Sequence, residues 1–308
     1  MAIDELPFKS GYVSILGRPN AGKSTLLNAL IGAKLAIVAE KPQTTRTAVQ
    51  GVWTDERAQV IFLDTPGIHS SETMFNRRMM AEVRAALESR DLLLFVADAT
   101  HEVRDEDRHA LDLVTRSKTP VMLVLNKIDR VKEKHRLLPL IETYKGFFDF
   151  KDYVPVSALK EDGLEELRRA ILALLPEGPA YFPADYLTDQ PERYLAAELI
   201  REKIIRATRN EVPHSVAVIV DRWDESSRLT RISATVYVER DGQKAILIGA
   251  RGGMLKQIGT EARQEIEVVL DRKVFLELFV KVQNNWREDP AFLNDLDWRT
   301  MMGNGTNE

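Results

Sequence analysis

The chain has 308 residues, of which 44% are hydrophobic and 29% charged, with a formal net charge of −4 and no cysteine. That length leaves room for two domains of ordinary globular composition, the missing thiols exclude disulfides and thiolate metal sites, and the acidic balance argues against non-specific nucleic-acid binding over the whole surface while leaving a local basic groove open. The five histidines are scattered, no apolar run approaches the ~18 residues of a membrane span, and the start Met1-Ala2-Ile3-Asp4-Glu5 carries acid where a signal peptide carries base, so structural zinc, a spanning helix and export are not expected.

In chain order, Tyr12 to Leu16 reads as a buried strand and Thr25 to Ile31 as a helix. Between them Gly17-Arg18-Pro19-Asn20-Ala21-Gly22-Lys23-Ser24 matches G-x-x-x-x-G-K-[ST] in the strand–turn–helix context that a phosphate-binding loop requires. Its glycines let the backbone approach a phosphate chain, and the helix start favours the anion. Lys23 is expected to reach the β- and γ-phosphates, Ser24 to ligate Mg²⁺, and Thr25 to continue the site into the helix. For Asn20 two roles stay open: holding a monovalent cation such as K⁺ beside the phosphates, or stabilising the loop.

Before the strand Thr47 to Thr54 lies Lys41-Pro42-Gln43-Thr44-Thr45-Arg46. Loops that sense a γ-phosphate place a Thr hydroxyl on Mg²⁺ and its N–H on the phosphate. Thr45 is the candidate and Thr44 the alternative. The strand Val60 to Leu63 leads into Asp64-Thr65-Pro66-Gly67. Asp64 is placed to anchor Mg²⁺ through water, and Gly67 to offer its N–H to the γ-phosphate. Lys23, Thr45 and Gly67 are therefore the groups expected to act on the transferring phosphoryl group. Ile68 stands where many regulatory GTPases carry a water-orienting Gln, and His69 follows it, so slow intrinsic hydrolysis is expected.

The strand Val121 to Leu125 ends in Asn126-Lys127-Ile128-Asp129. A carboxylate at Asp129 suits guanine, whose N1–H and N2 amino group are paired donors, and disfavours adenine, which has an acceptor at N1. Asn126 would support the loop and the base edge, and the Lys127 stem would lie over the base face. After the strand Tyr153 to Val156, Ser157-Ala158-Leu159 offers backbone N–H groups to complete the base pocket. Taken singly, each of these segments also reads as an ordinary polar turn. Their order, each at the C-terminal end of a predicted strand, points to a guanine-nucleotide site in the crevice of an open α/β sheet.

The alternation ends with a helix over 163–175, and prolines at 176, 179, 183 and 191 mark a connector. The expected domains are 1–176 for nucleotide binding, 177–192 as linker, 193–283 as a second domain and 284–308 as a tail. In the second domain Leu195, Leu199, Ile200, Ile204 and Ala207 recur at helical spacing. Val216 to Val220 and Ile232 to Val238 alternate as strands. Helices are predicted over 243–248 and 254–270, and a third strand over 274–282. Between the two helices lies Gly249-Ala250-Arg251-Gly252-Gly253, a loop through which a nucleic-acid backbone can come close, as in a KH module. Ile248, Gly249, Ala250, Arg251, Gly252, Gly253 and Lys256 are its candidate RNA-binding residues, with Ile248, Leu255 and Ile258 as an apolar floor for unstacked bases. Sixteen basic and fifteen acidic side chains in residues 189–283 mean that any basic surface comes from arrangement rather than excess. Trp286 and Trp298 are expected to pack on the domain edge, with stacking on a base as the alternative.

With these motifs the chain resembles the bacterial Era family of GTPases over nearly its whole length. The phosphate loop, Gln43-Thr44-Thr45-Arg46, Asp64-Thr65-Pro66-Gly67, Asn126-Lys127-Ile128-Asp129, Ser157-Ala158, Glu239-Arg240-Asp241-Gly242-Gln243-Lys244 and Ile248-Gly249-Ala250-Arg251-Gly252 carry the likeness. The resemblance implies a P-loop GTPase domain with a mixed, mostly parallel six-stranded sheet and flanking helices, followed by a smaller α+β type II KH domain. It implies GTP/GDP and Mg²⁺ as ligands. It implies binding of 16S ribosomal RNA near its 3′ end and a role in assembly of the 30S ribosomal particle. It further implies a cytoplasmic protein, read here as a monomer, with peripheral association at the inner membrane. No lipidation signal or strongly basic amphipathic helix accounts for a membrane contact. The rival reading is a GTPase whose second domain is a protein-interaction module. RNA modification by the second half is disfavoured, since it holds no Cys and His214 alone.

Overall fold

A computed structural model of the chain describes residues 7–39, 41, 44–68, 73–115, 117–208 and 212–299. The readings that rest on Met1 to Glu5, Pro42, Gln43, His69 and the end of the tail fall outside them. The chain divides into two compact units. The first holds Met1–Ala36, Thr45–Ser70 and Met79–Asp189, and the second Ile37–Thr44, Ser71–Arg78 and Gln190–Glu308.

In the first unit β1 (Lys9–Leu16), α1 (Lys23–Ile31), β2 (Val49–Thr54), β3 (Ala58–Asp64), α2 (Met74–Ala85, whose first residues belong to the second unit), β4 (Leu92–Asp98), α3 (Asp105–Val114), β5 (Val121–Asn126), α4 (Leu137–Lys145), β6 (Asp152–Pro155) and α5 (Leu164–Leu174) follow in sequence. The sheet order is β2-β3-β1-β4-β5-β6; only β2 runs antiparallel to its neighbour. All of β4 is buried, as a strand covered on both faces must be. Its alternate residues feed two cores. Leu94 and Val96 meet Leu26, Leu27 and Leu30 of α1 and Leu167 and Ile171 of α5. Leu93 and Phe95 meet Val83 of α2, Ala110, Leu111 and Val114 of α3 and Tyr144 of α4. Each such side chain contributes about 1.5–3 kcal/mol on leaving water. Parallel register then brings the strand ends together: Ile15 pairs with Asp64, and Asp98 with Asn126.

The second unit contains α6 (Glu192–Ala207), α7 (Val212–Ser215), β7 (Ala217–Glu225), β8 (Thr230–Val238), α8 (Asp241–Ile248), α9 (Gly253–Leu270), β9 (Val274–Val282) and α10 (Pro290–Asp295). β7 pairs antiparallel and β9 parallel with β8. The inward residues Ile232, Ala234, Val236 and Val238 of β8 meet Leu199, Ile200 and Ile204 of α6 and Ile258, Ala262 and Ile266 of α9. Ile258 is thus fully buried. It lies beneath the surface and cannot line a floor for bases, because its place on α9 faces the sheet. Both tail tryptophans are packed inside this unit: the Trp286 indole N–H donates to the Ser215 carbonyl at 2.9 Å, and Trp298 lies 6.2 Å from the Tyr194 ring.

Candidate functional site

The site at the strand ends starts with the turn from β1 into α1. Gly17 has φ 145° and Gly22 φ 96°; a Cβ at Gly17 would sit 2.4 Å from the Val96 carbonyl oxygen, and one at Gly22 2.2 Å from the Asn126 amide nitrogen. These two contacts, not flexibility, are why the loop needs glycine there. Pro19 packs against Gly67, where a Cβ would lie 2.8 Å away. Asn20 takes a left-handed φ of 61°, a conformation that Asn tolerates. The buried Lys23 ammonium donates to the carbonyls of Gly17 (3.2 Å) and Arg18 (3.1 Å). Burial lowers its pKa to about 8, against the pull of Asp64. Thr25 follows, half-buried, in the first turn of α1, and Ala21 is wholly buried in the loop.

Three oxygen groups converge beside Lys23. Ser24 Oγ donates to Asp64 Oδ2 at 2.6 Å and lies 2.7 Å from Thr45 Oγ1, which is itself 3.3 Å from Asp64 Oδ2. Asp64 Oδ1 is buried with no partner among the described residues. Burial raises the Asp64 carboxyl to about 6, although Lys23, Ser24 and Thr45 each favour its charged form. An orphaned carboxylate oxygen beside two hydroxyls fits a hard divalent cation such as Mg²⁺. Thr44 does not share this cluster; its hydroxyl donates to the Lys41 carbonyl at 2.6 Å. Thr65 donates to the Ile15 carbonyl at 2.8 Å and so ties its strand end to β1, with Pro66 buried beside it. Ile68 is buried in the core with Leu16, Val83 and Phe95, so its side chain points away from any attacking water.

Asn126 is a clamp. Its amide donates to the Ala21 carbonyl at 3.0 Å, and its oxygen accepts the N–H groups of Lys127 (2.8 Å) and Ala158 (3.0 Å). It thereby joins the phosphate loop to the two segments assigned to the base. Lys127, at φ 68°, reaches the Asn20 carbonyl (2.6 Å) and Asp98 Oδ2 (2.7 Å), so its stem spans the gap between them. Asp129 is exposed, and its Oδ1 accepts from the Ser157 hydroxyl at 2.7 Å. The Ser157 N–H bonds to Asp162, and Leu159 is exposed at the rim.

Sequence reasoning did not single out Asp98. It ends β4 beside Asn126, pairs with Arg18 at 3.4 Å and Lys127, and shares Arg18 with Asp107 at 3.3 Å. The Arg18 side chain is therefore held between two carboxylates of the scaffold. Burial pushes the Asp98 carboxyl up, but hydrogen bonds from Lys127 and Thr100 outweigh it and hold the carboxyl below its usual range. The signal was present, an apolar run ending in Asp, as at Asp64.

In the second unit α8 is capped by the Gln243 side chain, whose oxygen accepts the N–H groups of Glu239 (2.9 Å) and Arg240 (3.2 Å). It ends at Gly249 (φ 69°), where a Cβ would press within 2.7 Å of Met254 Cβ. Gly252 (φ 77°) opens α9, and a Cβ there would meet nothing within 4 Å, which leaves free approach. Ala250, Arg251, Gly253 and Lys256 are exposed and Ile248 is half-buried. Cations and the first N–H groups of an 18-residue helix thus share one open loop.

Two family models match the chain: "50S ribosome-binding GTPase" over residues 12–127 and "KH domain" over residues 211–287. The chain is 47% identical to GTPase Era of Geobacter metallireducens, over 95% of this chain and 98% of that protein. It is 48% identical to GTPase Era of a further Geobacter species, over 96% and 100%. Among solved structures, a point variant of Aquifex aeolicus Era bound to GDP and AlF4⁻ superposes with a TM-score of 0.91 at 42% identity, covering 94% of this chain and 99% of that one. Era in complex with MgGDPNP and nucleotides 1506–1542 of 16S ribosomal RNA gives the same TM-score, identity and coverage.

Proposed function

The chain belongs to the Era family of GTPases, and from that premise we propose that it is a two-state switch whose KH module holds single-stranded 16S ribosomal RNA near its 3′ end during assembly of the 30S particle. Hydrolysis of GTP to GDP and phosphate is the family's activity. The observation that carries the rest is the pairing, in one chain, of the nucleotide site with an open Gly249–Gly252 loop at the start of α9.

In this reading the backbone of residues 17–24 wraps the phosphates and Lys23 neutralises the β- and γ-oxygens. Ser24, Thr45 and, through water, Asp64 hold Mg²⁺, which supplies positive charge to the phosphoryl oxygens. Gly67 presents its N–H to the γ-phosphate, and Asp129 with the 157–159 segment selects guanine. The nucleotide-binding domain is residues 1–176, the linker 177–192, the KH module 193–283 and the tail 284–308. The protein acts as a monomer in the cytoplasm, and the family likeness alone supports its contact with the inner membrane. No helix among the described residues is long and apolar enough to cross one.

Because Ile68 faces the core, intrinsic turnover is expected to be slow, and Asn20 would either hold a K⁺ ion, which would supply positive charge beside the phosphates, or only stabilise the loop. Hydrolysis is expected to run roughly tenfold faster in KCl than in NaCl; equal rates would leave Asn20 as a loop residue only.

The RNA reading is tested with a short single strand copying the 3′ end of 16S ribosomal RNA. Tight binding is expected with a non-hydrolysable GTP analogue, weaker binding with GDP, and a loss of roughly tenfold or more in Gly252→Asp, which sets a carboxylate against the phosphates. Equal binding in both nucleotide states removes the switch. No binding in any state leaves the protein-interaction reading of the second domain.

A further inference from the structure

Residues 37–44, which lead directly into Thr45, belong to the second compact unit. Within that unit α6 grips both ends of the segment. At the near end Glu202 Oε1 accepts the Val38 N–H at 2.7 Å, Arg206 donates to the Val38 carbonyl at 3.0 Å, and Ile37 is buried among the core residues of α6. At the far end Arg201 Nη2 donates to the Thr44 carbonyl. Arg201 is almost wholly buried and is held by a two-point contact with Glu198, Nε at 2.7 Å and Nη2 at 2.5 Å. That fork fixes the guanidinium plane, so Nη2 reaches the carbonyl in one direction only.

The peptide group makes this contact consequential. The Thr44 carbonyl and the Thr45 N–H belong to one rigid plane and point in opposite directions. Gripping the carbonyl from α6 sets the direction of the N–H on the other side, together with the Cα that carries the Thr45 hydroxyl to within 2.7 Å of Ser24 Oγ. We propose that Arg201 is a positioning residue for GTP hydrolysis: it orients the 44–45 peptide so that Thr45 presents its N–H and hydroxyl to the γ-phosphate and its cation. The proposal rests on the reading of Thr45 given above. A lysine at this position would keep the charge but not the fork, since a single ammonium cannot hold Glu198 at two points and the carbonyl in a fixed direction.

The test uses the full chain with Mg²⁺. Affinities for a non-hydrolysable GTP analogue and for GDP, and the single-turnover hydrolysis rate, are measured for Arg201→Gln, Arg201→Lys, Thr45→Ala and the Arg201→Gln/Thr45→Ala double variant. Thermal unfolding is followed on each. Arg201→Gln is expected to lose roughly tenfold in analogue affinity and roughly tenfold in rate, a coupling of ordinary size, with GDP affinity nearly unchanged. Arg201→Lys should fall between it and the parent, and the double variant should be no worse than Thr45→Ala. If Thr45→Ala loses the discrimination and Arg201→Gln keeps it, the assignment of Arg201 is overturned and the reading of Thr45 stands. If Thr45→Ala also keeps it, the reading of Thr45 fails. Equal losses for GDP and analogue, with a lowered melting temperature, reduce Arg201 to a structural residue and overturn the proposal. Should Arg201→Gln not fold, Arg201→Lys decides, and parental discrimination in it is overturning.

Discussion

Lys23→Met is expected to lose roughly 10³-fold in hydrolysis rate with GTP bound, and to lose the pH dependence of GTP binding as well. The first part follows from the charge that Lys23 brings to the phosphoryl oxygens; removing a single donor aimed at developing charge costs on the order of 10²–10³-fold, and this donor is a full cation. The second part follows from burial. In the structure the ammonium sits on two carbonyls, and burial lowers its pKa to about 8. A triphosphate brings negative charge and raises that pKa, so the bound state holds the proton more firmly than the free state. Linkage then fixes the sign: below pH 8 both states are protonated and affinity is flat, while above it binding must take up a proton and affinity falls, by up to tenfold per unit. Titrating affinity between pH 7 and 9 checks this. A slope that persists in Lys23→Met would assign the titration to another group.

The alternation of apolar runs with polar strand ends made the sheet legible, and with it the strand ends at which the candidate site residues lie. Asp64 and Asn126 each end a buried run, and the register of parallel strands does the rest. What the sequence did not show is partnership at long range. Asp98 was readable as a strand end, but nothing local says that it joins Arg18 to Lys127 across the phosphate loop. Ile258 sits near the Gly-rich loop in sequence, yet helical phase turns it into the core. β7 runs on through Asp221 to Glu225, where polarity suggests a strand end, because pairing with β8 continues past a bulge and leaves Arg222 and Asp224 at the surface. The helix α10 had a readable start, Asp289 as cap with Pro290 in the first turn, and was passed over in the tail. The attachment of residues 37–44 to α6 depends on Arg201, Glu202 and Arg206, which in sequence look like the solvated face of a helix; their engagement with that segment is a tertiary fact.

Asp129→Asn is expected to exchange guanine for xanthine. Guanine presents N1–H and the N2 amino group to a carboxylate, two donors to two acceptor oxygens; each hydrogen bond to a charged group contributes about 1.5–3 kcal/mol. The Ser157 hydroxyl, 2.7 Å from Asp129 Oδ1, holds the carboxylate at the loop edge. An asparagine that keeps its oxygen on Ser157 turns its amide N–H₂ outward, where it meets the N2 donors of guanine head-on. Xanthine carries a carbonyl at that position and accepts from the same amide. GTP affinity should therefore fall on the order of 10²-fold and XTP affinity rise by a similar factor, a change in preference of about 10⁴, since a site built around one hydrogen-bond pattern discriminates strongly against its complement. Competition of GTP and XTP for the variant against a fluorescent nucleotide measures both. If Asp129→Asn binds the two nucleotides in the parental ratio, the carboxylate does not read the base. Adding Ser157→Ala tests the tether: a freely rotating asparagine can turn its oxygen to the guanine N2 group, so the loss of GTP affinity should ease, while xanthine, whose N1–H and C2 carbonyl match one orientation of the amide, stays preferred.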